Sequence, residues 1–215
     1  RMERLIIALF AFALIFFAVD KFVLAPKREA AAVSAVSMQV KAQTLAAIRS
    51  KVSDKSIAVL PFVNMSTDQE NEFFSDGLSE ELLNQLAQMK GLKVAARTSS
   101  FAFKGQNPDL KVVSQKLGVA HVLEGSVRKA GNRLRINAQL VDTRTDFPLW
   151  SERYDRELQD VFEVQDEIAR KIADALRITL SPQEQAAIST KPTANLQAYD
   201  LYLRGQSYAR RLTQQ

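Results

Sequence analysis

Two kinds of hydrophobic pattern follow one another along the chain. Residues 5–19 (LIIALFAFALIFFAV) are apolar at every position, and beyond Asp20 and Lys21 the apolar segment continues to Ala25. From residue 56 onward, short β-branched runs alternate with segments in which apolar residues recur every three to four positions. Because these periods belong to strands and helices, the later part of the chain predicts a globular α/β domain. The earlier part predicts a helix that is apolar on all sides.

The pattern after residue 56 predicts a strand, a helix, a strand, a helix, three strands and a helix. SIAVLPF (56–62) is a buried strand, and a helix with leucines at helical spacing follows it and stops before Gly91. LKVAAR (92–97) predicts the second strand, while Asp109 opens the second helix and Gly118 closes it. The first strands are expected to be parallel and the later ones antiparallel. The predicted fold class is α/β, a mixed sheet of about five strands with helices packed on it.

The end of the chain predicts three more helices. Asp160 and Glu163 form a D-x-x-E start to the last helix of the α/β domain. Ser181, within S-P-Q-E, caps a short further helix. LQAYDLYLRGQSYARRL (196–212) places apolar residues at helical spacing and predicts a final helix.

The stretch HVLEGSVRKAGNRLRINAQLVD (121–142) predicts a β-hairpin. Its second half alternates apolar and polar residues, which is typical of a strand with one buried and one solvated face. The Gly131-Asn132 pair predicts a tight turn, since both residue types tolerate positive φ. Four cations cluster at this turn, and aromatic or basic residues nearby could complete an interaction surface: Arg128, Lys129, Arg133 and Arg135, with Phe101, Phe103, Lys104 and Trp150.

These cations have three interpretations. They can be the solvated side of a half-buried sheet, which requires no ligand. They can dock a protein partner together with the aromatic residues, or stack and neutralise a nucleic acid. The net charge of +5 is small for a nucleic-acid binder, so no nucleic-acid partner is expected.

The composition limits the chemistry that the chain can perform. Its 215 residues are 47% hydrophobic and 25% charged, which is a globular balance. There is no cysteine and His121 is the single histidine, so thiolate chemistry and His–His metal sites are excluded. No phosphate-binding glycine loop and no nucleophile-elbow motif is present. We therefore expect no enzymatic activity, no catalytic residues, no metal and no cofactor.

Asp76-Gly77 interrupts the first predicted helix. Glycine inside a helix costs about 1 kcal/mol relative to alanine, so a compensating contact is expected. Close packing of this helix on the sheet is one explanation. A small ligand at the helix start, in a pocket formed by Asp76 and Gly77, is the other.

Several segments resemble one known domain family. DKSIAVLPFVNMS, VAARTSSFAFKG and LGVAHVLEGSVRKAGNRLRINAQLVD, in this order, are similar to the TolB amino-terminal-like domain of bacterial membrane-anchored tetratricopeptide-repeat (TPR) proteins. The resemblance runs from about Ser56 to Leu180. It implies an α/β fold, a role in interaction rather than catalysis, and by analogy a periplasmic position with other envelope proteins as partners.

The chain is predicted to consist of four successive segments. The apolar segment 5–25 approaches the ~20 residues needed to cross a bilayer and is apolar on all sides, which predicts a transmembrane anchor rather than a buried core helix. The resemblance supports this anchor over a signal peptide and implies that it lies in the bacterial inner membrane. An Ala-rich stalk (27–54), the TolB-like domain (56–180) and a helical linker with the beginning of a TPR-like helix (181–215) then follow. The cations on both sides of the anchor leave its orientation open.

The final helix matches the TPR pattern in part. Leu201, Gly205 and Tyr208 have the spacing of the first helix of a TPR, whereas Arg204 stands where that repeat prefers Leu.

Three hypotheses of function result. The first is a non-enzymatic, membrane-anchored protein-interaction module that faces the periplasm and presents a TPR array. The second is an extracytoplasmic sensory domain that binds a small molecule and signals to a cytoplasmic DNA-binding or cyclase domain. The third is nucleic-acid binding through the basic hairpin.

Overall fold

The computed structural model describes residues 52–68, 71–189, 193 and 195–213. The predicted anchor and nearly all of the predicted stalk lie outside the described residues, so both stay predictions. Within the described part, none of the helices is long and apolar enough to cross a membrane.

The strands of the described part form one mixed sheet. They are β1 (Ser56–Val59), β2 (Val63–Asn64), β3 (Lys93–Val94), β4 (His121–Ala130), β5 (Arg133–Asp142) and β6 (Phe147–Glu157). The order is β3-β1-β4-β5-β6, and β2 also pairs with β4. Pairing is parallel among β1 to β4 and antiparallel from β4 through β5 to β6, which confirms the predicted mixed sheet.

Helices connect and cover these strands. They are α1 (Glu72–Ala87), α2 (Arg97–Phe101), α3 (Leu110–Leu117), α4 (Val161–Ala175), α5 (Pro182–Ile188) and α6 (Leu196–Thr213). A 3-10 turn, Leu158–Asp160, leads into α4. The two-residue β2 and the five-residue α2 were not predicted, because both are too short to show a period of their own.

The two faces of the sheet are covered differently. The main core lies between one face and the helical layer of α1 and α4, and β5 contributes alternate residues to it: Leu134, Ile136, Ala138 and Leu140. A smaller cluster on the opposite face packs the α2–α3 segment onto β1 and the start of β4, through Phe103, Val113 and Val122. The rest of this second face, across β4, β5 and β6, is polar. We call it the open face.

Only one residue of the hairpin turn, a glycine, has a positive φ. Ala130 pairs with Arg133, so Gly131 and Asn132 form a two-residue turn. Gly131 has a φ of +58°, and Asn132 is not among the residues with positive φ. A positive φ at the first central position alone is the type II′ pattern, whose backbone twist matches that of the two strands. The tight turn is confirmed, with one positive φ instead of two.

The predicted helix caps have mixed outcomes. Asp109 accepts a hydrogen bond from the Lys111 amide at 2.8 Å, and Gly118 ends α3 with a φ of +65°. Ser181 and Glu184 form the complete capping box of α5. The prediction for Asp160 was wrong: its side chain makes no capping hydrogen bond. The preceding 3-10 turn has already wound the chain at this residue, whereas a capping side chain needs an extended backbone.

Gly125 leaves room for the Phe62 ring at the middle of β4. A β-carbon built at Gly125 would lie 2.3 Å from the Asn137 carbonyl oxygen and 2.7 Å from a ring carbon of Phe62. Both distances are below van der Waals contact, so a larger residue does not fit. The amide of Phe62 in turn donates to Ser79 Oγ of α1 at 2.8 Å, which ties the β1–β2 connection to α1.

Glu184 makes the stability of the fold depend on pH. The Ser181 hydroxyl, together with the backbone amides of Lys90 and Ser181, lowers the pKa of Glu184 from 4.5 to about 2. A carboxylate with a depressed pKa stabilises the fold above its ordinary pKa, and this contribution is lost as the pH falls toward the lowered value.

We expect Glu184→Gln, which keeps the hydrogen-bonding shape without the titration, to be less stable than the wild type above about pH 5. The difference should shrink as the pH falls toward 2, the lowered pKa. Urea unfolding at several pH values measures it. Gln183→Ala, an exposed change on the same helix without a titratable group, is the control. A difference that stays constant with pH would contradict the role of the Glu184 carboxylate.

Candidate functional site

Helix α6 packs on the helical layer through one of its faces. Tyr199 is buried between two aromatic rings, with centroids 4.8 Å from Phe162 and 6.4 Å from Phe74, both in edge-on geometry. Its hydroxyl accepts a hydrogen bond from Gln165 Nε2 at 3.3 Å. A satisfied, buried tyrosine of this kind joins α6 firmly to α1 and α4.

Gly77 lies where α1 and α6 approach each other closely. A β-carbon built at Gly77 would lie 2.5 Å from a terminal carbon of Leu203, which is itself buried. The close packing expected at this glycine is therefore present. Its partner is α6 rather than the sheet, because Leu203 occupies the space beside this turn of α1.

Polar contacts hold both sides of α6. Lys129 Nζ lies 3.0 Å from Asp200 Oδ1, so the hairpin reaches α6 directly. Glu80 on α1 accepts from Arg97 at 2.8 Å and also pairs with Arg210 of α6. The guanidinium of Arg204 lies 4.7 Å from the centre of the Phe73 ring.

The opposite face of α6 is apolar and exposed. Leu201, Tyr208 and Leu212 are 68%, 64% and 77% exposed, respectively. Gly205 lies between them, and a β-carbon built there would have no heavy atom within 4 Å. These four positions, which we call the outer stripe, fall on one side of the helix at the spacing of an apolar stripe. Single exposed leucines are ordinary, whereas apolar residues aligned along one face of a helix are a candidate interaction surface.

The four hairpin cations do not share one surface. Lys129 lies on the helical side of β4, where its ammonium is 5.0 Å from the centre of the Phe74 ring. Arg128, Arg133 and Arg135 lie on the open face. Arg135 pairs with Asp155 of β6 at 2.5 Å, and Arg128 Nε donates to the Met65 carbonyl at 3.2 Å.

The remaining predicted surface residues are also dispersed. Phe103 is buried in the smaller core, and Phe101 lies under the guanidinium of Arg97 at 3.9 Å. Trp150 packs against the main core and donates to Glu152. Lys104 Nζ lies 2.5 Å from Asp76 Oδ2 and 2.9 Å from Glu72 Oε1. Binding of a protein by these residues stays a prediction.

Asp76 occupies a partly buried position beside Gly77. Burial raises the pKa of its carboxyl, and the hydrogen bond from Lys104 opposes this effect. The second oxygen, Oδ1, is buried without a hydrogen-bond partner. A ligand pocket at Asp76 and Gly77 stays a prediction.

A groove of about 590 Å³ runs along the open face. Its walls come from the β1–β2 connection and from the α2–α3 segment, and its floor comes from β4 and β5. The lining combines an aromatic ring and prolines with amides, hydroxyls and the carboxyl of Glu124. Sequence reasoning missed Glu124, because the walls that bury it come from segments that are distant in sequence.

His121 is a buried residue that contributes to the packing of the sheet. It is buried at the start of β4, where Nδ1–H donates to the Ser56 carbonyl at 3.1 Å. Burial lowers the pKa of this imidazole. Within the described residues, no group of three His, Cys, Asp or Glu side chains is arranged to hold a metal ion.

Comparison with known proteins identifies the family of this domain. Residues 53–171 match the family described as the second domain of HilA/YgeH-like transcriptional regulators. The chain belongs to this family. The matched segment covers the sheet and helices α1 to α4, up to Lys171. The TPR resemblance of α6 lies beyond it and stays a prediction.

A curated relative of this HilA/YgeH-like domain carries a different name. Over 149 residues the chain is 52% identical to "Putative adenylate cyclase 3" of Rhizobium meliloti (strain 1021), a match that covers 69% of this chain. The chain spans about a quarter of the length of that relative, 25%.

Solved structures with a related fold include three bacterial proteins. TolB from Acinetobacter baumannii has a TM-score of 0.42 and 18% identity, covering 56% of this chain and 28% of TolB. The lipoprotein GNA1162 from Neisseria meningitidis has a TM-score of 0.43 and 21% identity, covering 56% and 97%. The C-terminal domain of LpoB from Salmonella enterica has a TM-score of 0.39 and 19% identity, covering 49% and 84%. At TM-scores this low, these likenesses say nothing about what the HilA/YgeH-like domain binds.

We expect Gly77→Ala to loosen α6 while leaving the sheet intact. The added methyl group must displace Leu203, which should lower the local opening free energy of α6 by about 1–2 kcal/mol. Hydrogen exchange of the α6 amides measures this change. Gly205→Ala is the matched control, since it adds the same methyl group to the open side of α6 and should slow exchange there. Unchanged exchange in Gly77→Ala would show that Leu203 does not hold α6.

Proposed function

We propose that this chain is the non-enzymatic, protein-interacting part of a membrane-anchored bacterial signalling protein. Its α/β domain holds α6 as the first helix of a repeat array, and the outer stripe of α6 receives a helix. The observation that carries this proposal is that α6 has two apolar faces, one docked through Tyr199 and Leu203 and one exposed.

A helix with two apolar faces is expected to pack between two other structural elements, one on each face. A surface helix of a globular protein has one apolar stripe and one polar face, and α6 departs from this rule. Stacked helical repeats have the required geometry, because each helix pair covers the apolar face of the preceding one. Gly205 within the stripe allows a neighbouring helix to approach closely.

The names of related proteins favour an accessory role that is compatible with different activities of the whole protein. The family is described by transcriptional regulators, and the R. meliloti relative is named for adenylate cyclase activity. A domain shared by proteins with such different names is best explained as an accessory unit that connects or recruits, whereas the catalysis or DNA binding belongs to other parts of those chains.

The TolB-like resemblance supports a periplasmic position by analogy, since the charges around the predicted anchor leave its orientation open. A helix at residues 5–25 would tether the domain to the inner membrane, and we place the domain in the periplasm, with envelope proteins as its partners. Nucleic acid is a weaker candidate, because two of the four hairpin cations already form ion pairs within the protein. Lys129 pairs with Asp200 and Arg135 pairs with Asp155, so their charges are not free to bind phosphates.

Site-directed photo-crosslinking tests the outer stripe. We expect a photoreactive phenylalanine analogue at Tyr208, in the full-length protein in cells, to give adducts several-fold more often than the same group at Phe147. Phe147 is a matched control because it is also an exposed aromatic residue, at 71% exposure against 64% for Tyr208. Mass spectrometry of the adduct identifies the helix that covers the stripe. Equal adduct yields at both positions would contradict the proposal.

Cysteine labelling tests the proposed membrane side. Since the chain has no cysteine, Gln159→Cys introduces one label site at an exposed position. We expect a membrane-impermeant maleimide to label it in intact spheroplasts as fully as in lysed ones. Labelling that requires lysis would place the domain in the cytoplasm.

A further inference from the structure

Glu124 is a half-buried carboxylate without a counter-ion. It lies on the open face of β4, opposite Gln139 of β5, and lines the groove. No described residue gives it a hydrogen bond or a salt bridge. Burial raises the pKa of this carboxyl, and no neighbouring charge contributes to the shift. A partly buried carboxylate without a partner costs free energy, and such groups in a cleft are typical of functional sites.

The groove as a whole carries excess negative charge. Its charged lining residues are Glu72, Lys104 and Glu124. Lys104 is already bound to Glu72 and to Asp76, at 2.9 and 2.5 Å. Its charge is therefore neutralised within the protein, and Glu124 has no cation of its own. A cation entering the groove would meet an uncompensated carboxylate in a partly desolvated setting, where ion pairing is strong.

Other polar groups of the groove offer acceptors. Asn137 uses its Nδ2 to donate to Ser126 Oγ at 3.0 Å, and Gln106 uses its Nε2 to donate to the Ala102 carbonyl at 2.9 Å. The amide oxygens of both residues have no hydrogen-bond donor among the described residues. Amide oxygens beside a carboxylate suit a ligand that carries several N–H donors.

The walls suit an apolar body. Phe103 lines the groove together with Leu60, Pro61 and Pro108, whereas the Phe62 ring belongs to the main core. The volume of about 590 Å³ is within the range of small-molecule sites. Apolar walls with a few placed polar groups are the usual composition of such sites, because the walls supply affinity and the polar groups supply orientation.

We propose that this groove binds a small organic cation, an amine with an apolar body, and that Glu124 forms the ion pair with its ammonium group. The site is separate from the outer stripe, since it lies on the open face of the sheet and α6 packs on the helical side. Its test therefore stands independently of the proposed protein interaction.

The test uses the full 215-residue chain in micelles of a non-ionic sugar detergent, which carries no cation, at about pH 7.5. 2-Phenylethylammonium is titrated and followed by amide chemical shifts and calorimetry. We expect saturable binding with shifts at β4, β5 and the α2–α3 connection. Neutral 2-phenylethanol and anionic phenylacetate, which keep the ring, should bind at least about tenfold more weakly.

Three variants separate the ion pair from general effects. Glu124→Gln should weaken amine binding by at least about tenfold and leave 2-phenylethanol binding unchanged. Ser126→Arg, two residues along the same face of β4, should also abolish amine binding, since it supplies Glu124 with an internal cation. Glu81→Gln is the matched control: its carboxyl on α1 is also half-buried with a raised pKa, but it lies outside the groove.

Equal amine binding by the wild type and Glu124→Gln would overturn the proposal, as would equal affinity for the amine and the carboxylate. Absence of saturable amine binding by the wild type would overturn it as well. These outcomes leave the crosslinking result at Tyr208 unaffected, so the two proposals can fail separately.

Discussion

The antiparallel pairing of β4 with β5 is the constraint on which the rest of the domain depends. Ten residues of each strand pair in continuous register, from His121–Asp142 to Ala130–Arg133. Because side chains alternate along both strands, this register decides at once which residues enter the main core and which form the open face. A shift by one residue would exchange the two sets. Gly131 sets the register at the turn, and Gly125 admits Phe62 at the centre.

Because side chains alternate along it, β4 contributes residues to both candidate sites. On the helical side, Lys129 of β4 pairs with Asp200 and helps to position α6. On the open side, Glu124 of the same strand faces the groove. The proposed protein contact and the proposed ligand contact thus lie back to back across a single sheet. A ligand that changed the local position of β4 would have a short mechanical path to α6, through Lys129.

Sequence periodicity predicted the strands and the two faces of β5, because these follow from local alternation, and the order of helices and strands predicted the mixed pairing. Lys129 could also have been placed correctly, since it shares the parity of Leu123 and Val127. The role of Gly77 could not be foreseen: its partner, Leu203, lies far away in sequence, and only the tertiary fold brings them together. The same reason hides Glu124, whose burial depends on two separate connections that form the groove walls.

The free edges of the sheet bear on how copies of this protein can associate. One edge is β3, which has only two residues, and the other is β6, which pairs only with β5 among the described strands. β6 carries Pro148 and a run of charges of both signs, including Arg153 and Asp155. Short edges, prolines and charges all oppose the addition of a further strand. Association of copies by adding strands at these edges is therefore disfavoured.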